Sequence, residues 1–239
     1  MKFGKLDERY LAERREVSEK YGPRELWSVI DHWPLYCGIA KLGRSLAICD
    51  LLRSTLDVPG HVAEFGSWRG ANMMLLAKLL KIDDPHGNKL VHCFDSFEGL
   101  EFFAREDGAY APSTLGSYKG SLEELTDMIR VFDLQDDLVI HEGLIQDTLP
   151  PLLEADKGIT FSFIYCDTDL FEPTEMILNR MHNRLSKRGL FVFDEWSDSR
   201  WPGEGAAANA FMRAHSDDYE MIHIKSARQP TMALRKVRF

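Results

Sequence analysis

Acidic residues follow two apolar segments of the sequence, at the point where each segment ends. Asp167 and Asp169 come after FSFIYC, and Asp194 and Glu195 come after GLFVF. If both segments are strands of one parallel sheet, their carboxyl ends meet at one edge and bring these side chains together. Clustered carboxylates repel one another unless a cation or a proton joins them. The spacing therefore predicts a charged site at this edge.

The residue types at this edge predict a metal site. Carboxylate oxygens are hard ligands that suit Mg²⁺ or Mn²⁺, so we expect Asp167, Asp194 and Glu195 to hold a divalent ion. Such an ion could bind two neighbouring substrate oxygens and lower the pKa of a hydroxyl. Asp169 is then a candidate general base. The alternative interpretation is that these residues only cap helices and end strands.

A glycine turn follows the apolar segment that begins at residue 61. The residues are EFGSWRG, with Glu64 at the start and the glycines at 66 and 70. Glycine allows a tight turn and a close approach of the backbone to a ligand. The G-x-x-x-G spacing differs from the G-x-G-x-x-G fingerprint of dinucleotide sites. An uncharged adenosine with an amino-acid tail fits better than a pyrophosphate, and Glu64 could reach its cationic groups. The alternative is an ordinary turn with a surface Glu.

Asp95 ends the next apolar segment, KLVHCF. A carboxylate at this position of a doubly wound sheet can accept both ribose hydroxyls of a nucleotide. The alternative role is a turn or helix cap. Together with the glycine turn, Asp95 favours an adenosine site.

Composition excludes several classes of function. The formal net charge is −9. This disfavours nucleic acid partners, because their phosphates bind to basic protein surfaces. No apolar run is long enough for a transmembrane helix, and the charged N-terminus lacks the apolar region of a secretory signal. A cytoplasmic location without membrane contact is expected. The four cysteines lack zinc-ligand spacing, and no H-x-x-x-H, G-x-S-x-G or P-loop motif is present.

Apolar runs alternate with helical stretches from residue 61 onward, which predicts an α/β domain with a parallel sheet. The predicted strands are 61–65, 89–94, 137–141, 161–166, 189–194, 219–225 and 231–237. The predicted helices are 70–82, 121–132, 173–186 and 204–215. The last two strands follow each other directly, so we expect them to pair antiparallel.

Two segments lie outside this alternation. Residues 1–58 are predicted to form an N-terminal helical cap and residues 59–239 the sheet domain. Residues 96–120 form a long Gly-rich and aromatic loop, which is typical of a lid over a ligand. Trp27, Trp33, Tyr110, Tyr118 and Trp201 are aromatic candidates for stacking on a sugar or polyketide ring.

Several short motifs in order resemble one known family. They are EFGSWRGAN (64–72), FDSFEGL (94–100), EGLIQDTLP (142–150), CDTDLFEPT (166–174), GLFVFDEW (189–196) and the helix start at Gly205-Ala206. They cover roughly residues 60–215. On these residues the chain resembles the macrocin O-methyltransferase family, which methylates sugar hydroxyls of macrolides and related natural products.

The resemblance implies a Rossmann-like, seven-stranded class I methyltransferase sheet with helices on both faces. It implies S-adenosylmethionine and Mg²⁺ as cofactors, a glycosylated small-molecule acceptor, and a homodimer by family habit. Asp167, Asp194 and Glu195 would hold the metal, and Asp169 would accept the proton, with Asp167 beside it in the catalytic site. The residues expected to line the cofactor site are Glu64, Gly66, Ser67, Trp68, Gly70, Asp95, Ser96, Phe97, Asp147 and Asp167.

The chain departs from the family pattern in a few places. Asp194-Glu195-Trp196 stands where two aspartates and a tyrosine are usual, and Phe171 stands where a tyrosine is common. The N-terminal helices, which help to form the substrate pocket, match poorly.

The function expected from the residues and the resemblance is a metal-dependent O-methyltransferase of a sugar with neighbouring hydroxyls. The alternatives are an O-methyltransferase of a catechol-like phenol, an amine methyltransferase, a nucleotide-binding dehydrogenase and a catalytically silent binding module.

Overall fold

A computed structural model describes residues 4–238, so that Met1 to Phe3 of the predicted cap and Phe239 lie outside the described part. Its centre is a seven-stranded sheet in the order β3-β2-β1-β4-β5-β7-β6. The strands are β1 (His61–Phe65), β2 (Val91–Asp95), β3 (Leu138–Glu142), β4 (Phe161–Cys166), β5 (Leu185–Phe193), β6 (Tyr219–His223) and β7 (Met232–Lys236). The first five pair in parallel, and β7 is antiparallel to both of its neighbours.

Helices cover both faces of the sheet and also precede it. They are α1 (Gly4–Tyr21), α2 (Leu26–Asp31), α3 (Trp33–Tyr36), α4 (Ile39–Arg53), α5 (Ala71–Asp83), α6 (Leu122–Val131), α7 (Ile145–Ala155), α8 (Phe171–Met181) and α9 (Pro202–His215). Within residues 4–238, none of these helices is long and apolar enough to cross a membrane.

Alternate residues of each strand pack into two separate apolar cores. On one face, Phe65, Phe94 and Phe193 pack with α7, α8 and α9. On the other face, Val62 and Tyr165 pack with α4, α5 and α6. Side chains of a strand point alternately to the two sides, and the helices that connect parallel strands cover both. The expected α/β class with helices on both faces is thereby confirmed.

The predicted strands agree closely with the observed ones, and the predicted antiparallel pairing of the last two is confirmed. Helix α7 was not predicted. Pro150 and Pro151 lie inside it, and proline removes a backbone donor and normally disrupts a helix interior. Ile145, Leu149 and Leu153 recur every four residues and are buried, so packing of this face outweighs the two prolines.

The connection between α8 and β5 differs from the prediction. The helix ends at Met181, and the strand already begins at Leu185. Leu185 pairs with Phe161, and the register then shifts before Leu190 pairs with Phe163. The regular part of the strand is the part that the apolar pattern predicted, because the irregular part carries exposed polar residues.

The N-terminal segment is helical, as expected, but α4 is part of the main core. Ile48 and Leu52 are buried against α5 and β1. The helices before it expose large apolar side chains, among them Leu26 and Leu35. The division into a cap of residues 1–58 and a sheet domain of 59–239 stays a prediction.

The long loop between β2 and α6 is folded against the sheet edge. Asp107 is 1% exposed, and its carboxylate accepts hydrogen bonds from the backbone amides of Ala104 at 2.7 Å and Phe171 at 2.6 Å. Ala111 packs with Leu170 and Trp201 in a small apolar cluster. The loop is thus anchored to the start of α8, and its role as a lid stays a prediction.

Three histidines form a cluster at the sheet, in which His92 and His141 are stacked. His92 Nδ1 lies 3.0 Å from His141 Nε2, and the ring of His61 lies 5.3 Å from that of His92. The second ring nitrogen of His92 is buried without a hydrogen-bond partner. Burial, and then the neighbouring His141 and His61, lower the pKa of His92 to about 4. Burial also lowers the pKa values of His141 and His61.

This histidine cluster predicts a loss of stability in acid. The unfolded chain binds a proton at His92 below pH 6.5, whereas the folded chain keeps this residue neutral down to about pH 4. The contribution of neutral His92 to the free energy of unfolding is complete above pH 6.5. It is lost as the pH falls toward 4, by on the order of 3 kcal/mol. Thermal unfolding of His92→Phe at several pH values should show a flatter slope over this range than the wild type. The exposed His223→Gln should keep the wild-type slope, and an unchanged slope in His92→Phe would refute the assignment.

Candidate active site at the carboxyl edge of the sheet

The turn between β1 and α5 is shaped by two glycines in the left-handed region. Gly66 has φ +83° and Gly70 has φ +77°. A Cβ on Gly66 would lie 1.9 Å from the carbonyl oxygen of Asp167, and one on Gly70 would lie 2.4 Å from Leu125 Cδ1. The turn therefore contacts both the β4 loop and α6 too closely for any side chain at these positions.

Asp95 holds this turn in place from the end of β2. Its Oδ2 accepts hydrogen bonds from the amides of Ser67 at 2.6 Å and Trp68 at 2.7 Å, and its Oδ1 accepts one from Phe97 at 2.6 Å. A carboxylate that accepts several backbone N–H groups is a strong positioning element. Asp95 is only half-buried, so oxygen lone pairs beyond these three bonds can face a ligand.

Glu64 lies beneath the turn and is 1% exposed. Its carboxylate accepts hydrogen bonds from Ser67 Oγ at 2.8 Å and Asn72 Nδ2 at 2.7 Å. Burial raises the pKa of Glu64 to about 8, although these two bonds oppose the shift. In this arrangement Glu64 fixes the turn from inside. Its direct contact with a cofactor stays a prediction.

The other predicted cofactor residues surround the same edge at different depths. Trp68 is 46% exposed, whereas Phe97 is 4% exposed and packs in the core. Ser96 accepts a hydrogen bond from the Glu98 amide within the following turn. Asp147 is exposed on the first turn of α7, which begins just after β3 ends. The edge thus gathers the predicted residues, with Trp68, Ser96, Asp95 and Asp147 open to solvent.

The three predicted metal ligands come together. Asp167, Asp194 and Glu195 each offer a carboxylate oxygen, and these atoms lie within 4.8 Å of one another. Burial, and then the charge of Asp194, raise the pKa of Asp167 to about 7 and that of Glu195 to about 8. Burial and neighbouring acids thus both favour the neutral form of these carboxylates, and a cation would favour the charged form.

Asp169 is held in an unusual backbone conformation beside this cluster. Its φ is +62°, in the left-handed region that non-glycine residues rarely occupy and that Asp tolerates better than most. Burial, followed by the charges of Asp167, Glu195 and Asp194, raises the pKa of Asp169 to about 9. Strained backbone of this kind clusters at functional sites.

Arg44 is a site residue that the sequence did not reveal. It lies on α4, within a stretch that reads as an ordinary amphipathic helix. Its Nη1 donates to both carboxylate oxygens of Asp194 at 2.5 Å, and its Nη2 donates to Asp167 at 2.8 Å. The Tyr165 hydroxyl also donates to Asp194. The guanidinium thus compensates part of the acidic charge and joins α4 to the sheet edge.

Glu204 is a second site residue that the sequence did not reveal. It is fully buried in α9, and its Oε1 accepts a hydrogen bond from the Glu195 amide at 2.7 Å. Burial raises the pKa of Glu204 well above its usual range. A Glu in the first turn of a helix is common, which is why its role could not be seen in the sequence.

The donor set fits a hard divalent cation. All three candidate ligands are carboxylates, and Glu195 Oε2 is buried without a hydrogen-bond partner while Gln229 donates to its Oε1. An unpaired buried acceptor of this kind suits an ion that prefers oxygen ligands. Arg44 satisfies Asp167 and Asp194 but does not reach Glu195.

Aromatic side chains border the acidic cluster on its open side. The ring of Tyr118 lies 5.6 Å from Trp68 and 6.1 Å from Trp201, and Tyr110 lies 5.4 Å from Trp201. Trp68, Tyr110 and Tyr118 are each more than 40% exposed, whereas Trp201 is buried. The other two predicted stacking candidates, Trp27 and Trp33, lie on α2 and α3 and are each 45% exposed.

A family comparison identifies this arrangement. The model of the family "Macrocin-O-methyltransferase (TylF)" matches residues 40–228, which include Arg44, the glycine turn and the acidic cluster. The chain belongs to this family. The predicted resemblance is thereby confirmed, and the match extends further toward the N-terminus than the motifs did.

Individual relatives agree with the family. The chain is 31% identical over 148 residues to 8-demethyl-8-(2,3-dimethoxy-alpha-L-rhamnosyl)-tetracenomycin-C 4'-O-methyltransferase of Streptomyces olivaceus, and 29% identical over 147 residues to demethyldecarbamoylnovobiocin O-methyltransferase of Streptomyces niveus. Each match covers 59% of this chain and 54% of the relative, so the chain spans about half the length of these curated relatives.

A solved structure is similar over a longer range. The crystal structure of CalS11, a calicheamicin methyltransferase, superposes with a TM-score of 0.78 at 25% identity, covering 94% of this chain and 90% of that one. The Rossmann-like methyltransferase sheet is therefore the fold of this chain, as the motifs implied.

The close contact at Gly66 generates a stability prediction. Gly66→Ala should destabilise the fold by about 2 kcal/mol more than Gly116→Ala, because the added Cβ would collide with the Asp167 carbonyl. Gly116 is the matched control, since its φ is +70° and no atom lies within 4 Å of its ideal Cβ. That control should lose only the ~1–2 kcal/mol of left-handed strain. Urea unfolding measures both, and equal losses would contradict the contact.

Proposed function

We propose that this protein transfers a methyl group from S-adenosylmethionine to a hydroxyl of a sugar in a small-molecule natural product, with Mg²⁺ or Mn²⁺ bound at the acidic cluster. The observation that carries this proposal is the meeting of the glycine turn and the carboxylate cluster at one sheet edge, where Gly66 packs against Asp167. Family membership supports the reaction class.

The cofactor would lie over the β1–α5 turn. Asp95 ends the strand beside it, and its remaining lone pairs suit the ribose hydroxyls. Ser67, Trp68 and Gly70 would face the cofactor along the turn, with Ser96 and Asp147 at its borders. The buried Glu64 and Phe97 would support this surface from below.

Asp169 would remove the proton from the acceptor hydroxyl. The bond that forms joins the sugar oxygen to the cofactor methyl, the bond that breaks is sulfur to methyl, and the proton goes to the Asp169 carboxylate. A divalent ion held by Asp167, Asp194 and Glu195 would lower the hydroxyl pKa. It would also reduce the acidic repulsion that, after burial, raises the pKa of Asp169. In-line positioning of the two reactants supplies much of the acceleration.

The acceptor would bind against the exposed aromatic side chains. Trp68 and Tyr118 stand at the border of the cluster, and the charge of Asp169 contributes, after burial, to raising the pKa of Tyr118. Aromatic faces suit the apolar faces of sugar rings and polyketides. By its name, the relative from Streptomyces olivaceus methylates a rhamnosyl tetracenomycin, and the relative from Streptomyces niveus methylates demethyldecarbamoylnovobiocin. Neighbouring hydroxyls on a sugar would allow chelation.

The direct test combines binding with turnover. Calorimetry with S-adenosylhomocysteine should show binding, and mass spectrometry should detect methylation within a panel of glycosylated natural products and demethyldecarbamoylnovobiocin. Methylation should stop after chelation of divalent ions and return with Mg²⁺. Absence of S-adenosylhomocysteine binding would overturn the proposed reaction, whereas full activity in the chelator would overturn only the metal.

The assignment of Asp169 predicts a specific loss of turnover. Asp169→Asn should lower kcat by about 10²–10⁴-fold while leaving S-adenosylhomocysteine affinity unchanged, because Asn keeps the size and tolerates the left-handed backbone. Asp133→Asn is the matched control, since Asp133 also has a left-handed φ of +54° but lies outside the site. Steady-state kinetics and calorimetry separate the two effects. Equal turnover in both variants would refute the role of Asp169.

The proposed metal site predicts that the stabilisation by Mg²⁺ depends on Arg44. Arg44→Met should destabilise the metal-free protein by on the order of 3 kcal/mol, because it leaves the buried Asp194 and the half-buried Asp167 without their ion pair. Mg²⁺ should then raise its Tm more than it raises the wild-type Tm, because the ion no longer has to displace the guanidinium. Arg53→Met is the control, since Arg53 lies on the same helix and pairs with the surface Asp83. Equal Mg²⁺ shifts in all three proteins would contradict a metal at this cluster.

A further inference from the structure

A second group of metal-ligating side chains lies at the opposite edge of the sheet. His182 follows the end of α8, His215 ends α9, and Asp218 precedes β6. One possible ligand atom from each residue lies within 4.8 Å of the other two. Helices that connect parallel strands run back toward the amino ends of the strands. The group is therefore separated from the candidate active site by the length of the sheet.

The distance between two of these groups fits a pair of metal ligands as well as a long hydrogen bond. His215 Nδ1 lies 3.3 Å from Asp218 Oδ2, longer than the ~2.9–3.0 Å typical of an N–H···O bond. Two ligand atoms that are each about 2.0–2.1 Å from a tetrahedral Zn²⁺ stand about 3.3–3.4 Å apart. The observed separation is that of two neighbouring ligands.

His182 is oriented by a neighbour, as metal-binding histidines usually are. Its Nδ1 lies 2.9 Å from the Tyr219 hydroxyl, which leaves Nε2 for a ligand. Its ring centroid lies 4.3 Å from that of His215, and the His215 ring stacks on Phe211 at 4.4 Å. Contacts with Tyr219 and Phe211 thus hold the two imidazoles in place. Metal-binding histidines usually have supporting contacts around them.

The nearest ammonium group does not point at the proposed ligand atoms. Lys236 donates to the backbone carbonyl of His182 at 2.6 Å, which directs its charge to the backbone.

We propose that His182, His215 and Asp218 bind a transition-metal ion, with Zn²⁺ as the best fit, and that water completes the tetrahedron. Two imidazoles and one carboxylate form a donor set that suits Zn²⁺ and is too rich in nitrogen for Mg²⁺. The ion would join the ends of α8 and α9 to the start of β6. Its role is structural, since it lies away from the candidate active site.

The test is a Zn²⁺ titration of the chelator-treated full chain. Asp167→Asn serves as the background, so that the acidic cluster does not contribute its own Zn²⁺ site. Calorimetry should show one equivalent of Zn²⁺, and Zn²⁺ at 100 times its Kd should raise the Tm by about 5–10 °C. Co²⁺ in place of Zn²⁺ should give the intense visible bands of a tetrahedral ion. Absence of a bound equivalent, or of these bands, would overturn the proposal.

Substitutions of the proposed ligands test where the ion binds. His215→Gln and His182→Gln should each lower Zn²⁺ affinity by at least about 100-fold, and Tyr219→Phe by about 10-fold, because it removes only the hydroxyl that orients His182. His223→Gln on β6 is the control and should bind as the background does, since His223 is exposed. Unchanged affinity in both His182→Gln and His215→Gln would place the ion elsewhere and refute the site.

Discussion

The arrangement at the carboxyl edge of the sheet depends on mutual repulsion among its carboxylates. Asp167, Asp194, Glu195 and Asp169 follow β4 and β5, two strands that lie side by side, so the chain cannot separate them without breaking the sheet. Arg44 approaches from α4 and pairs with two of them. The pKa values of Asp167, Asp169 and Glu195 stay raised, by burial first and by neighbouring acids next, even with Arg44 in place. One guanidinium is therefore insufficient, and the remaining imbalance is what a further cation would relieve.

The two halves of the candidate site are coupled through backbone atoms. Gly66 leaves no room for a Cβ against the carbonyl of Asp167, and the Asp167 amide donates to the Phe65 carbonyl at 2.9 Å, so the glycine turn and the acidic loop are in direct contact. Asp95 binds the same turn from β2 through the amides of Ser67 and Trp68. The turn is thus fixed between two strand ends, each of which carries an acidic residue of the site. Preorganisation of this kind keeps two reactants aligned without further ordering when they bind.

The sequence predicted the sheet and the acidic residues because both rest on local patterns. Apolar runs that end in carboxylates are visible along the chain, and parallel pairing brings their ends to one edge. Arg44 and Glu204 were missed because each lies on a helix where its residue type is ordinary, and only packing brings it to the cluster. Helix α7 was missed because its prolines oppose the helix locally, while burial of Leu149 and its neighbours favours it through distant contacts. His182 and His215 are separated in sequence by most of α9 and the whole of β5, so no motif spacing could join them.

The two edges of the sheet differ in the chemistry of their donors. The carboxyl edge offers only oxygen ligands around Asp194 and Glu195, whereas the opposite edge offers two imidazoles with Asp218. Metal ions divide between such sites by donor type rather than by overall affinity. At the carboxyl edge, the proposed Mg²⁺ would compete with Arg44 for Asp167 and Asp194. The proposed Zn²⁺, an ion of intermediate softness that accepts nitrogen ligands, suits the opposite edge, where α8, α9 and β6 meet. Binding there would stabilise the folded state. A cell could therefore supply both ions at once, and each edge would select its own.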